Sequence, residues 1–303
     1  MASSSIEIPE PPGTYVRIRV KALSPALGAD IDAGDLRDLD DSRFAEIKRA
    51  WLAHHVIRFR KQCFDNAAIV AFGGRFGSFQ PNLVEAGRNA AYPQVSTISN
   101  IVENDRPVGM LGDGELVWHT DQSSFEVTPS ATILYAVEVP AGQGFTEFLN
   151  AQLAYETLPP DLRGYAETLR LKHDDTYDSA GTRRPGYAPV TDVRLSPGAI
   201  HPLVVTHPET GRNALYLGRR PNAYVVGLGV DESEALLDRL WAHAMQSRFV
   251  WRQEWSPGDL LVWDNRSLMH RRTAFDPQAR RVLKRVVIEG SRPCFGSKLH
   301  ATT

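Results

Sequence analysis

From about Glu115 onward the chain breaks into short strand-like runs separated by turn residues, and this cadence limits the fold more than any other feature. The runs include Ala131 to Val139, Ala214 to Leu217, Phe249 to Trp255 and Leu260 to Trp263. Short runs rich in β-branched and aromatic residues, punctuated by Gly, Pro and Asn, are the raw material of sandwiches and jelly rolls. Upstream, helix and strand alternate. Asp41 is placed to cap a helix carrying Phe44, Ile47 and Trp51 at helical spacing, Val56-Ile57-Arg58-Phe59 reads as a strand, and a second helix spans Asn66 to Phe76. One late helix is expected after Asp231 and Glu234, an Asp variant of the capping box ahead of Leu236, Leu237, Leu240, Trp241 and Ala244. The stretch from His173 to Pro197, rich in Asp, Gly, Pro and Arg, shows no period and reads as a loop or lid.

With 303 residues, 42% of them hydrophobic and 23% charged, the chain has material for a sizeable core. No linker, repeat or low-complexity tract marks a boundary, so a single catalytic domain over residues 1–303 is expected, with residues 173–197 as a lid within it. A net charge of −2 leaves no basic footprint for nucleic acid or an anionic membrane. No segment is long and apolar enough to span a bilayer, and Met1 to Tyr15 lacks the basic flank and apolar run of a signal peptide. Two cysteines, Cys63 and Cys294, are too few for a disulfide framework and fit a reducing cytoplasm.

The chemistry concentrates in Trp118-His119-Thr120-Asp121. If this segment is a strand, residues two apart point to one face, and an imidazole and a carboxylate can grip one cation. His270 follows the strand-like Leu261-Val262-Trp263-Asp264, and two His with one Asp make a facial triad suited to non-haem iron. A His-x-Asp triplet also arises by chance, and most histidines are surface or satisfied core residues. The arginines beyond His270 add weight: Arg281, Leu283, Arg285 and Val287 share one face of an expected strand. Two inward guanidiniums need anions, and a planar fork beside a metal is a natural anchor for a dicarboxylate. Four residues along a strand span roughly 13 Å, at about 3.3 Å each, so Arg281 and Arg285 are expected to serve different anions.

On these residues the chain resembles the taurine dioxygenase and 2,4-dichlorophenoxyacetate dioxygenase family of Fe(II)/2-oxoglutarate enzymes. The similarity runs nearly end to end. It takes in Gly28-Ala29-Asp30-Ile31, Trp118 to Asp121, Gly144 to Phe148 with Thr146, Tyr216-Leu217-Gly218, Gly258-Asp259-Leu260, Trp263-Asp264-Asn265-Arg266 leading to His270, and Arg280 to Arg285. The resemblance implies a mainly β fold with flanking helices, a double-stranded β-helix of the jelly-roll kind. It implies that His119, Asp121 and His270 bind Fe(II), that Thr146 and Arg281 hold the distal carboxylate of 2-oxoglutarate, and that Arg285 meets a small anionic substrate. Oxygen is the second cosubstrate, and decarboxylation to succinate and CO2 is coupled to hydroxylation, with carbon–heteroatom cleavage or desaturation as further outcomes. It leaves room for a homo-oligomer, dimer or tetramer.

Two rivals carry different expectations. A non-catalytic jelly-roll binding protein would keep the fold without turnover, and a zinc hydrolase would use the triad to activate water but leaves the paired arginines unexplained. Gly142-Gln143-Gly144 begins like a dinucleotide fingerprint, yet Glu147 stands where its third glycine belongs. Asn265-Arg266-Ser267 matches a glycosylation sequon but reads as structural. His54 and His55 read as solvated or packed at a helix end, while His173, His201 and His207 fall in loop-like regions with no assigned role.

Overall fold

The computed structural model describes residues 14–81, 87 and 89–296. The stretch Met1 to Tyr15, considered above as a possible leader, lies up to Gly13 outside the described residues. In chain order the sheet strands are β1 (Arg19–Ala22), β2 (Ala29–Asp32), β3 (Val56–Phe59), β4 (Ser96–Ser99), β5 (Met110–Leu111), β6 (Leu116–His119), β7 (Ala131–Glu138), β8 (Thr146–Asn150), β9 (Val250–Gln253), β10 (Leu260–Asp264), β11 (Leu268–Arg272) and β12 (Val282–Ile288). Eight of them form one sheet in the order β1-β2-β3-β10-β7-β12-β4-β5, and four form a second in the order β9-β8-β11-β6. The pairings are antiparallel except β2 with β3 and β4 with β5.

Strand alternation sorts the core into layers. Along β10, Leu260 and Val262 join the cluster under α1 (Asp41–His54) and α2 (Asn66–Gly74), where Ile47, Trp51, Ile69 and Phe72 pack. Leu261 and Trp263 point the other way and meet Phe148 and Trp251 of the second sheet. The outer face of that sheet presents Leu149 and Met269 to Leu236, Leu237, Leu240 and Trp241 of α3 (Val230–Ala244). Burying a side chain of this size stabilises by roughly 1.5–3 kcal/mol, so the helices clamp both sheets face to face. The result is the expected jelly roll, with flanking helices on its outer faces. Among the described residues no helix is long and apolar enough to cross a membrane.

Several local expectations shift. The N-cap of α1 is Asp40, whose carboxylate accepts from the Arg43 amide at 2.8 Å, and Asp41 is the first helical residue. Helix α2 ends at Gly74 and not Phe76, because Arg75 already forms the cap. The N-cap of the late helix is Gly229 instead of Asp231. A glycine offers no capping side chain, so half the box remains, with Glu232 accepting from the Gly229 amide at 3.0 Å. The run expected from Ala214 to Leu217 is a strand only over Asn213–Leu215. Gly142 and Gly144, with φ of +67° and +64°, make the turn between β7 and β8, which disposes of the dinucleotide reading.

The turn between β10 and β11 is locked by a buried ionic knot. Asp264 accepts from Arg266 at 2.7 Å and from His207 Nε2 at 2.9 Å, while His207 Nδ1 accepts from the amides of Glu209 and Thr210. Two backbone donors at Nδ1 leave the ring proton on Nε2, so His207 donates to Asp264. Burial would raise the Asp264 carboxyl, but Arg266 and His207 outweigh it and hold the group far below the usual range. The role of His207 is therefore to pin the turn that leads to His270.

Candidate active site

His119 ends β6, and His270, which follows β10 as expected, lies within the next strand, β11. The two residues are register partners across the β6–β11 pair. Between that pair and Leu116–Arg272 the register slips, so Val117 and Trp118 together oppose Arg271 alone. This bulge lets both Leu116 and His119 face the interior while Trp118 turns outward into the helix-covered cluster. Asp121 does not share a strand face with His119. It sits in the turn after β6, held by the Thr120 amide, which donates to the Gly218 carbonyl at 3.0 Å.

The three side chains nevertheless converge. His119 Nε2 and His270 Nε2 lie 3.9 and 4.0 Å from Asp121 Oδ1, and a ligand atom from each residue falls within 4.8 Å of the others. His119 Nδ1 contacts the Val117 carbonyl at 2.7 Å, which places its proton there and leaves the Nε2 lone pair facing Asp121. Burial, opposed by Asp121, lowers the His119 pKa; burial and then His119 lower that of His270 to about 3. Burial would raise the Asp121 carboxyl, yet the Arg285 charge and the Thr132 hydroxyl, with the flanking rings, outweigh it and hold the group below its usual range. Two neutral imidazoles and one carboxylate on one face are the donor set of a non-haem iron(II) site.

The triad opens into a cavity of about 430 Å³ between the sheets, within the usual size for a small-molecule site. At one end Thr146 on β8 stands opposite Arg272 on β11, and its hydroxyl accepts from Trp255 Nε1 at 3.0 Å. That leaves the hydroxyl proton to donate into the cavity. Arg281 lies one residue ahead of β12, only 2% exposed, and its Nε has no partner among the described residues. Burial, then the neighbouring charge of Arg272, lowers its pKa to about 9. An uncompensated buried guanidinium beside a free hydroxyl proton suits a carboxylate. Arg285, on the inward face of β12, brings Nη1 to 4.0 Å from Asp121 Oδ1, close to the triad itself.

The segment 173–197 is loop, as expected. It borders the cavity with Tyr177 and Arg184, and its Ser179 carbonyl accepts from the Val117 amide of β6 at 3.0 Å. Arg219, unremarked in the sequence reading, lines the same side and donates to Asp174 at 3.2 Å. Neither His173, His201 nor His207 borders the cavity, and His201 lies in a short strand, Ile200–Pro202, instead of a loop. Arg272 was also missed; it follows from placing His270 on a strand, since residues two apart share a face.

Comparison with known proteins agrees with this architecture. The family described as "Taurine catabolism dioxygenase TauD, TfdA family" matches residues 19–287. Pentalenolactone F synthase of Streptomyces arenae is 33% identical over 82% of this chain and 87% of its own. The alpha-ketoglutarate-dependent 2,4-dichlorophenoxyacetate dioxygenase of Cupriavidus pinatubonensis is 34% identical over 87% of this chain and 94% of its own. The crystal structure of a taurine dioxygenase from Burkholderia xenovorans superposes with a TM-score of 0.77 at 33% identity, covering 93% of this chain and 92% of that one. The chain belongs to the TauD, TfdA dioxygenase family.

Proposed function

We propose that His119, Asp121 and His270 bind Fe(II), that Thr146 and Arg281 hold the distal carboxylate of 2-oxoglutarate, and that Arg285 receives the anionic group of a small organic substrate. The chain is a 2-oxoglutarate-dependent dioxygenase, coupling oxidative decarboxylation of the keto acid to oxidation of a second molecule. The observation that carries the residue assignments is the convergence of His119 Nε2, His270 Nε2 and Asp121 Oδ1 in a cavity that also reaches Arg281 and Arg285.

Iron and the keto acid supply the oxygen chemistry, and the protein supplies geometry. Thr146 and Arg281 fix the cosubstrate's far end, so its keto and carboxylate oxygens are presented to the triad in one pose. The loop 173–197 and the β5–β6 segment line the cavity on the side away from the core. The relative named for 2,4-dichlorophenoxyacetate acts on an aryloxyalkanoate, and Arg285 suits such a carboxylate or a sulfonate. We place the enzyme in the cytoplasm as one catalytic unit, where Cys63 and Cys294 stand as free thiols.

Anaerobic visible absorption tests the assignment. Addition of Fe(II) and then 2-oxoglutarate to the wild type should give a weak charge-transfer band in the green, absent in His119→Ala. Screening acidic substrates for succinate release follows. No band at saturating iron and keto acid would sink the assignment and favour a non-catalytic binding protein.

A further inference from the structure

Asp121 has two carboxylate oxygens with different surroundings. Oδ1 faces both imidazoles and Arg285, whereas Oδ2 lies 2.7 Å from the hydroxyl of Thr132. Thr132 lies on β7, opposite Trp263 of β10 and Val287 of β12, and is fully buried. Its oxygen is also 2.9 Å from Asn265 Nδ2, and Asn265 Oδ1 is 3.0 Å from Trp263 Nε1. The four residues form one chain from an indole to the metal carboxylate.

The direction of that chain is settled at its far end. An indole nitrogen can only donate, so the Asn265 atom beside it must be the amide oxygen. The amide nitrogen therefore faces Thr132 and donates to it. The Thr132 hydroxyl, already accepting, has its own proton left for Asp121 Oδ2. The register of β7 with β10 and the locked turn around Asp264 leave the parts of the chain little freedom to rearrange.

We propose that Thr132, oriented by Asn265 and Trp263, is a positioning residue that keeps Asp121 a one-oxygen ligand and so preserves a coordination position; this rests on the assignment of Asp121 to the metal. The arithmetic is simple. Two imidazoles and one carboxylate oxygen would leave three positions of a six-coordinate ion open to exchangeable ligands. A carboxylate gripping with both oxygens would take one of these away. Outer hydrogen bonds that orient a ligand are a general means of setting how it binds. Here the restraint acts through a neutral hydroxyl, which engages Oδ2 without introducing a competing charge.

Counting the exchangeable water on the metal tests this directly. Mn(II) with 2-oxoglutarate is loaded into wild type, Thr132→Val and Thr132→Ser, and the Mn(II) magnetic-resonance lines are compared in ordinary and oxygen-17 water. Wild type and Thr132→Ser should show line broadening from a bound water. Thr132→Val, nearly the same shape but without a hydroxyl, should lose it. Trp263→Phe keeps a ring beside His270 but frees the Asn265 amide to turn, and should show a partial loss; it decides the matter if Thr132→Val does not fold. Undiminished broadening in the folded variants overturns the proposal. Asp121→Ala separates the two readings, because unchanged Mn(II) affinity in that variant would overturn the metal assignment itself.

Discussion

Arg272 and Arg281 lean on the same ring: their guanidinium carbons lie 5.4 and 5.6 Å from the centre of Phe275. Burial lowers the pKa of Arg272 to about 10, and burial together with Arg272 lowers that of Arg281 to about 9. Two buried cations beside one another repel until an anion arrives. Accordingly, 2-oxoglutarate should raise the melting temperature even with metal chelated away. Arg281→Leu should abolish that rise and weaken 2-oxoglutarate binding about 100-fold, the equivalent of about 3 kcal/mol for a charge-assisted pair. Calorimetric titration checks both, and undiminished binding would remove Arg281 from the pocket.

Arg285 is expected to divide the labour with Arg281. Arg285→Ala should raise the KM of an anionic substrate about 10- to 100-fold, as loss of a charged hydrogen bond does, while 2-oxoglutarate affinity stays nearly intact. Arg281→Ala should do the reverse. Equal loss of both affinities in either variant contradicts the division.

Acid should destabilise the metal-free protein through its buried histidines. His55 caps α1 with φ of +66° and contacts Ser267 through Nδ1 at 3.0 Å, while burial lowers its pKa from 6.5 to about 3. Above pH 6.5 it is neutral folded or unfolded and has no effect on the balance. Below that value the unfolded chain takes up the proton first, so stability falls by about 1.4 kcal/mol per unit, about 2 kcal/mol at pH 5. Thermal melts between pH 7.5 and 5 should show the decline. His55→Asn, whose side chain tolerates the positive φ, should make it shallower; an unchanged slope would assign the effect elsewhere.

Gly218 is irreplaceable for a steric reason. With φ of +60°, a methyl group there would stand 2.0 Å from His173 Nδ1, and the Gly218 carbonyl holds the amide between His119 and Asp121. Gly218→Ala should cost more than about 3 kcal/mol through strain and overpacking. It should also weaken Mn(II) binding, because the turn carrying Asp121 loses its tether. Differential scanning calorimetry with a metal titration measures the two effects separately.

The sequence made the proposed metal-binding residues legible by residue type but not always for the right reason. His119 and Asp121 were paired by strand alternation, yet β6 stops at His119 and a bulge, which leaves no mark in composition, sets that ring's direction. Leu268–Arg272 went unseen as a strand because its apolar residues, Leu268 and Met269, are adjacent and charged residues follow. Arg272 was lost with it. Thr132 had no signal at all, being one buried threonine in a hydrophobic strand, and its meaning depends on Asn265, far along the chain. By contrast β7, β10 and β12 were readable, since alternation between two covered faces is written in their residues.

His119, His270 and Thr146 come from the four-stranded sheet, while Arg281 and Arg285 flank or belong to the eight-stranded one. On the proposed assignment, a carboxylate held between Thr146 and Arg281 would grip both walls at once, as a removable rivet. Succinate would keep that carboxylate, so the seam between the walls is expected to open only when the product itself departs.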